Sequence, residues 1–280
     1  EFAINDLEED RIDIALLPGW IVFDSTWKGV VSEATPDGIR FGPSLRPAQP
    51  KLQSSALEPR SYSEIQAVIS AAHLPVTPSD LVVFYDQDAE NGAKALIASS
   101  SSRQSPHDYL VNLFQTSIEL ANIFLTRSDV HNFQWRIVGV AKIPFYEVGE
   151  FTSMERELRM MDLGTGEAGV FMRNYGNVNG ADQLLLVVGG EREFSGRAFT
   201  PGNEAVVYWY HSGLLPFIIA HELAHNLGCS HDRETESAID GDGKYFYGHV
   251  FTGDNNISYG TILSYKGSLL GRFSNPEVSY

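Results

Sequence analysis

The sequence predicts an α/β (α+β) fold, in which a small β-rich N-terminal module precedes a domain with a twisted mixed sheet and a long buried helix. Three observations support this prediction. Strand-length apolar runs alternate with helical periodicity after residue 81, residues 214–220 are nearly all apolar, and proline- and glycine-rich turns divide the first 50 residues. The 280 residues, 43% of them hydrophobic, can bury the core of one large domain or two modest ones.

The N-terminal module is predicted from short apolar runs that turn residues interrupt. Residues 12–17 and 20–23 are two such runs, and a proline–glycine pair separates them, as expected between short strands. A capping-box pattern at residues 61–64 then indicates the start of a helix. We therefore divide the chain into residues 1–75, a β-rich module, and residues 76–280, a second domain.

The second domain is predicted to begin with a strand, a helix and a strand. Residues 81–85 are a continuous apolar run, typical of a strand covered on both faces. Ser105 and Pro106 are suited to begin a helix, because apolar residues follow at helical spacing from Leu110 to Leu125. Alternating apolar residues at 133–137 predict the next strand.

Three more strands are predicted before the buried helix. Residues 184–188 form another apolar run and predict a central strand. Residues 197–200 and 205–210 predict two further strands, separated by a Pro-Gly-Asn turn at 201–203. This order of strands and helices predicts a mixed sheet.

Charge and composition exclude several classes of partner. The chain has 36 acidic and 20 basic residues and a net charge of −16, so it repels nucleic acid and anionic lipid. Its longest apolar run, residues 214–220, is much shorter than the roughly 18 residues of a membrane span. We therefore expect neither a nucleic-acid nor a membrane partner.

The most informative motif is a pair of histidines four residues apart. His221 and His225 lie on the same face of a helix, one turn apart, so both imidazoles can reach one zinc ion. Glu222 stands beside that point, where its carboxylate can take a proton from a zinc-bound water. This spacing predicts a catalytic zinc site.

A glycine and a third histidine complete the motif. Gly228 can adopt the left-handed conformation that ends a helix, which turns the chain so that His231 reaches the same metal. Ordinary core or surface histidines are the alternative. Chance produces these offsets in roughly one such chain in ten thousand or fewer, so the zinc interpretation is favoured.

The motif resembles that of the metzincin zinc endopeptidases, and within them the bacterial type of the adamalysin-like (reprolysin-like) branch. Residues 221–232, HELAHNLGCSHD, match the extended metzincin signature, and Asp232 after the third histidine is typical of that branch. Residues 260–265 stand where metzincins have a tight turn beneath the zinc, and residues 273–278 look like the segment that follows it. The resemblance covers about residues 79–280.

The resemblance implies a metzincin-like catalytic domain that hydrolyses peptide bonds in a protein or peptide substrate, with Zn²⁺ as cofactor and Glu222 as general base. It also implies a secreted or periplasmic protein. Metzincins bind the substrate as an extra strand along one edge of the sheet. In this chain the edge strand is expected at Gly196, Arg197, Ala198 and Phe199.

Two residues of the turn need separate interpretation. Leu263 replaces the methionine of the metzincin turn, and a Leu–Met exchange of similar volume usually costs less than about 1.5 kcal/mol, so we expect activity to survive. Tyr265 matches the tyrosine that other metzincins place near the metal, where its hydroxyl can bind a developing oxyanion. A tyrosine that only packs in the pocket wall is the alternative.

Other residues with metal-binding chemistry receive weaker assignments. Cys229 lies between the ligands, but with His231 at the correct spacing we interpret it as a small buried residue. The oxygen-rich segments 240–243 and 254–256 resemble Ca²⁺ loops, although acidic turns at the surface have the same composition.

Two alternatives to an active protease stay open. A catalytically silent zinc-binding interaction module would keep the ligands, but it would not need Glu222 as a general base. A latent proenzyme would use residues 1–75 as an inhibitory pro-segment, unless that module packs permanently against the second domain and completes its core.

Overall fold

The computed structural model describes residues 3–6, 12–15, 76–99, 103–144, 153–190, 194–209, 213–236 and 246–276. In the predicted N-terminal module, strands β1 (Ala3–Asp6) and β2 (Ile12–Ala15) form an antiparallel pair. The other short strands and the helix predicted before residue 75 lie outside the described residues.

The central feature of the second domain is a five-stranded mixed sheet, which confirms the predicted fold class. Its strands in chain order are β3 (Thr77–Tyr85), β4 (Phe133–Lys142), β5 (Gln183–Val188), β6 (Gly196–Ala198) and β7 (Glu204–Tyr208). Their spatial order is β4-β3-β5-β7-β6, in which the first four are parallel and β6 runs antiparallel at the edge. Every residue of β5 is buried, as its apolar sequence predicts.

Helices cover both faces of this sheet. In chain order they are α1 (Gln87–Ser99), α2 (Pro106–Arg127), α3 (Met154–Leu163), α4 (Gly166–Asn179) and α5 (Leu215–Asn226). Alternate residues of β3 point to opposite faces: Leu81 and Val83 pack with α1, α2 and α5, whereas Val82 and Phe84 pack with α3 and α4. Among the described helices, none combines the length and the apolar character needed to cross a bilayer.

The predicted start of α2 is confirmed in detail. Ser105 is its N-cap, and its Oγ accepts a hydrogen bond from the backbone N–H of Asp108 at 3.1 Å. The same hydroxyl donates to the Asp108 carboxylate at 2.7 Å. The cap satisfies one of the backbone N–H groups that the first turn of a helix leaves without a partner.

A second, three-stranded sheet follows α5 and was not predicted. Strands β8 (Val250–Thr252), β9 (Ser258–Gly260) and β10 (Ser268–Leu269) lie in the order β10-β9-β8. Residues 261–267 connect β9 to β10, which pair in parallel. The small sheet therefore fixes both ends of the segment that the sequence identifies as the turn beneath the metal.

Candidate metal centre

Helix α5 holds the first two histidines of the motif in a buried position. It begins with a proline in its first turn, and all 12 of its residues are buried. It packs against α2 and against strands β6 and β7 of the sheet. His221 and His225 lie one turn apart on this helix, with 0% and 1% of their surface exposed.

The three predicted ligands come together. His225 Nε2 lies 3.0 Å from His221 Nε2 and 3.0 Å from His231 Nε2. Within the described part of the chain, this is the one group of three or more histidine, cysteine or carboxylate side chains that could hold a metal ion. Cys229, which we did not assign as a ligand, is half-buried and is not part of this group.

The other ring nitrogen of each histidine fixes the tautomer. His221 Nδ1 is 2.7 Å from the Ile262 carbonyl oxygen, and His225 Nδ1 is 2.7 Å from the Cys229 carbonyl oxygen. A carbonyl oxygen only accepts, so both Nδ1 atoms donate. His231 Nδ1 likewise lies 2.8 Å from Glu236 Oε1. The proton therefore sits on Nδ1 and each Nε2 presents a lone pair, which is the arrangement of metal-ligating histidines.

These lone pairs fit a metal ion better than they fit one another. No proton lies between the Nε2 atoms in this tautomer, so three acceptors face each other at close range. A tetrahedral zinc site with metal–nitrogen bonds of about 2.0–2.1 Å has ligand nitrogens about 3.3–3.4 Å apart. The observed spacing of 3.0 Å is close to this value. The cluster is therefore compatible with a metal ion such as zinc.

Burial keeps the three imidazoles neutral. It lowers the pKa of His225 to about 3 and that of His231 to about 4. Burial, followed by the proximity of the other two rings, lowers the pKa of His221 well below its ordinary value. Neutral imidazole is the form that binds a metal, so the cluster is ready to do so near neutral pH.

Gly228 brings the third histidine to the cluster, as the sequence predicts. Its φ is +94°, in the left-handed region, and its N–H donates to the His225 carbonyl at 2.8 Å. A Cβ atom at this position would meet nothing within 4 Å. The backbone conformation, rather than a lack of space, is therefore what favours glycine here.

Glu222 follows the first ligand on α5 and is enclosed. Only 1% of its surface is exposed, and Oε1 has no hydrogen-bond partner among the described residues. Burial raises the pKa of Glu222 well above its ordinary value, and the positive charge of Arg197 opposes that shift. A buried carboxylate with a raised pKa and a vacant oxygen is suited to accept a proton.

The turn at residues 261–265 contacts the histidine ligands. Leu263 is buried and packs in the same core as α5. The ring of Tyr265 lies 4.1 Å from the ring of His231 and stacks on His221 at 6.1 Å. Tyr265 keeps 38% of its surface exposed; partial burial, followed by nearby carboxylates, raises its pKa, so its hydroxyl keeps its proton and can donate a hydrogen bond.

Asp232 links the histidine motif to this turn. Its Oδ2 accepts the backbone N–H of Tyr265 at 3.1 Å and the Thr235 hydroxyl at 2.9 Å, and its Oδ1 accepts the Thr235 N–H at 3.0 Å. Burial raises the pKa of Asp232, but these hydrogen bonds outweigh it and the net pKa is lowered. The ionised carboxylate therefore holds Tyr265 beside the ligands.

The predicted substrate strand lies at one of the two edges of the sheet, next to β7. Gly196, Arg197 and Ala198 form β6, and Phe199 follows it. Gly196 and Ala198 face α5, whereas Arg197 points to the opposite face, where its Nη2 lies 3.6 Å from Glu155 Oε2 of α3. Beyond β7, the described residues contain no strand paired with β6.

Some functional groups were not predicted. Glu236, the partner of His231, stands five residues after that ligand, so an acidic residue shortly after the motif was a usable signal. The carbonyl groups of Ile262 and Cys229 left no signal, because any residue type supplies a carbonyl oxygen. Of the calcium candidates, residues 254–256 form the turn between β8 and β9, and residues 240–243 lie outside the described residues.

Comparison with known proteins gives a likeness of fold alone. No protein-family profile and no curated protein matches the chain. The chain is similar to one in a solved chaperone–substrate complex, with a TM-score of 0.51 and 14% identity over 73% of this chain and 30% of the other. It is also similar to metalloproteinase-II from Bacteroides fragilis, with a TM-score of 0.35 and 14% identity over 60% of this chain and 51% of the other. This chain therefore spans less than two thirds of the length of either of these two chains.

Proposed function

We propose that the chain is a zinc-dependent endopeptidase of the metzincin type, of the adamalysin-like branch. The observation that carries the proposal is the convergence of three neutral histidines at Nε2, together with a buried carboxylate, that of Glu222 directly after the first histidine, whose Oε1 has no hydrogen-bond partner among the described residues. A site that only held a structural metal would need the three histidines, but it would gain nothing from a buried carboxylate, whose burial is costly.

His221, His225 and His231 would hold the metal, and their Nδ1 partners would keep each ring in place. A zinc ion held in this way supplies Lewis-acid chemistry and lowers the pKa of a bound water to about 7. Glu222 would accept a proton as the oxygen of that water adds to the scissile carbonyl, and would return it to the leaving amine when the C–N bond breaks. The residues of α5 and Leu263 are buried, so they contribute no solvent-exposed surface around this step.

The substrate is a polypeptide that extends β6 by one strand. Among the described residues, β6 is the last strand at its edge of the sheet, and peptide recognition by strand addition uses the backbone N–H and C=O groups of such an edge strand. Tyr265 lies against two of the ligands with a protonated hydroxyl, so it donates a hydrogen bond to the carbonyl oxygen as negative charge develops there.

The test is hydrolysis of denatured casein by the purified full chain, with and without a chelator. The wild-type chain cleaves casein, the chelator stops cleavage, and added zinc restores it. Glu222→Gln lowers the rate at least 10²–10⁴-fold and keeps its zinc, since Glu222 is a proton acceptor and not a ligand. Glu119→Gln, an equal change on the exposed side of α2, is the matched control and keeps full activity.

The outcomes separate the proposal from its rivals. A chain that holds zinc and cleaves nothing is a silent binding module. Cleavage that appears only after residues 1–75 are removed marks the full chain as a latent proenzyme. A Glu222→Gln variant that keeps more than about a tenth of the activity contradicts the assigned role of Glu222.

A further inference from the structure

The edge strand β6 and the carboxylate of Glu222 are in direct contact through Gly196. A Cβ atom at position 196 would lie 2.6 Å from Cγ and 2.8 Å from Cδ of Glu222, and closer still to Oε1. Cβ atoms do not approach other heavy atoms so closely. The space that a side chain at position 196 would need is therefore already occupied by the Glu222 side chain.

The reason for glycine at this position is space and not backbone conformation. Gly196 lies within β6, and its φ is not in the left-handed region that disfavours other residues. The contrast with Gly228 is clear, because there a Cβ would meet nothing and the φ of +94° alone favours glycine. A larger residue at position 196 is thus excluded by Glu222 itself.

Glu222 cannot make room by a small movement of its end. The conflict includes Cγ as well as the carboxylate, so the whole side chain would have to rotate. Its Cα is fixed in α5, where every neighbouring residue is buried. Rotation of the side chain would move the carboxylate, and such displacements are costly for a group that transfers a proton.

We propose that Gly196 is a positioning residue for the general base: its missing side chain leaves the space in which β6 and α5 hold the Glu222 carboxylate. This inference rests on the proposed function and adds that substrate binding and proton transfer are coupled. The strand that pairs with the substrate is also the strand that sets the position of the proton acceptor. Binding and proton transfer therefore share one structural element.

The test is Gly196→Ala in the full chain, with kcat, KM and zinc content measured together. We expect kcat to fall at least tenfold, KM to change less than threefold, and zinc content to stay the same, because the atoms nearest to a Cβ at position 196 belong to Glu222, which is not a ligand. Gly176→Ala is the matched control. It places a Cβ 2.7 Å from Leu184 Cδ2, a flexible end far from the site, and leaves kcat unchanged.

A second measurement shows whether the contact with Glu222 is the cause. We expect Gly196→Ala to lower the melting temperature in the wild-type background and to lower it much less in the Glu222→Ala background, since Glu222→Ala removes the conflicting atoms. This comparison remains decisive if Gly196→Ala alone does not fold, because Gly196→Ala/Glu222→Ala then folds.

Two results overturn the inference while the proposed function stands: an active Gly196→Ala enzyme with an unchanged kcat, or an equal loss of stability in both backgrounds. A wild-type chain that holds zinc and hydrolyses no peptide is a different failure. It removes the proposed function, and the role of Gly196 falls with it.

Discussion

Helices α2 and α5 lie side by side on the same face of the sheet, yet they are stabilised in different ways. Helix α2 has 22 residues, one buried face, one exposed face and a serine N-cap. Helix α5 has 12 residues, all buried, and its N-cap residue, Leu214, makes no side-chain cap. Helix α2 is largely specified by its own sequence, whereas α5 depends on the elements around it.

This difference explains where the chemistry resides. A buried polar group costs free energy unless a partner satisfies it, so a helix with a solvent face places its polar side chains in water. In α5 the polar side chains stay inside, and each of its buried histidines has an oxygen partner outside the helix. The packed surroundings that hold α5 also fix the direction in which its side chains point.

The largest expected effect is the loss of the metal from α5. His225→Ala removes the central ligand, whose Nε2 lies 3.0 Å from both others, so bound zinc and activity are lost together. Added zinc stabilises the wild-type protein, by about 2.7 kcal/mol at a hundredfold excess over Kd, and leaves the variant unchanged. Elemental analysis and calorimetry measure both effects.

The control for this substitution is His131→Ala, since His131 is an exposed histidine after α2 that pairs with Asp129. It should keep its zinc and respond to added metal as the wild type does. Equal zinc content in His225→Ala and the wild-type chain would show that α5 does not hold the metal. The difference between α2 and α5 would then have no connection to metal binding.

A second prediction concerns the support that lies outside α5. Glu236→Gln keeps the shape of the side chain but removes the negative charge that faces His231 Nδ1. Loss of such a partner typically costs 10–100-fold in metal affinity, and we expect a loss of that size in a competition titration with a chromogenic chelator. Glu234→Gln is the control, because Glu234 is exposed and pairs with Lys266. Unchanged metal affinity in Glu236→Gln would show that only the backbone carbonyls of Ile262 and Cys229 support the ligands.

Tyr265→Phe has a smaller expected effect. The variant keeps the ring that packs on His231 and loses only the hydroxyl. If the hydroxyl binds the developing oxyanion, kcat and kcat/KM fall together by roughly tenfold or more while KM changes little, because the lost interaction exists only in the transition state. Steady-state kinetics on a peptide decides this. An unchanged kcat makes Tyr265 a residue of the pocket wall.

The sequence predicted most of the main sheet and the histidine cluster, and the reasons differ between the two helices. Helix α2 followed from periodicity and from Ser105. Helix α5 shows no polar face, so it was identified by the apolar run at residues 214–220 and by the spacing of its histidines. Helix α1 was missed because it buries only two alanines, which give no periodic signal. The small sheet was missed because its strands have two or three residues.

The position of Glu222 against Gly196 could not be predicted either, since it depends on how β6 and α5 meet in space. The same is true of the Ile262 carbonyl, which reaches His221 from 41 residues away in the chain. Local sequence specifies which groups can do chemistry. Contacts between distant segments decide where those groups are held.

The smallest expected effect tests the other helix. Ser105→Ala removes the side chain that caps α2, and loss of such a cap typically costs about 1 kcal/mol in the free energy of unfolding. Urea denaturation measures this loss, and Ser99→Ala is the control, because its hydroxyl bonds only to the Leu96 carbonyl within its own helix. Zinc affinity and kcat should not change in Ser105→Ala, since the Nδ1 partners of the three histidines, Ile262, Cys229 and Glu236, all lie outside α2. A change in zinc affinity would show that the site senses the stability of α2, and the two neighbouring helices would then act as one cooperative unit.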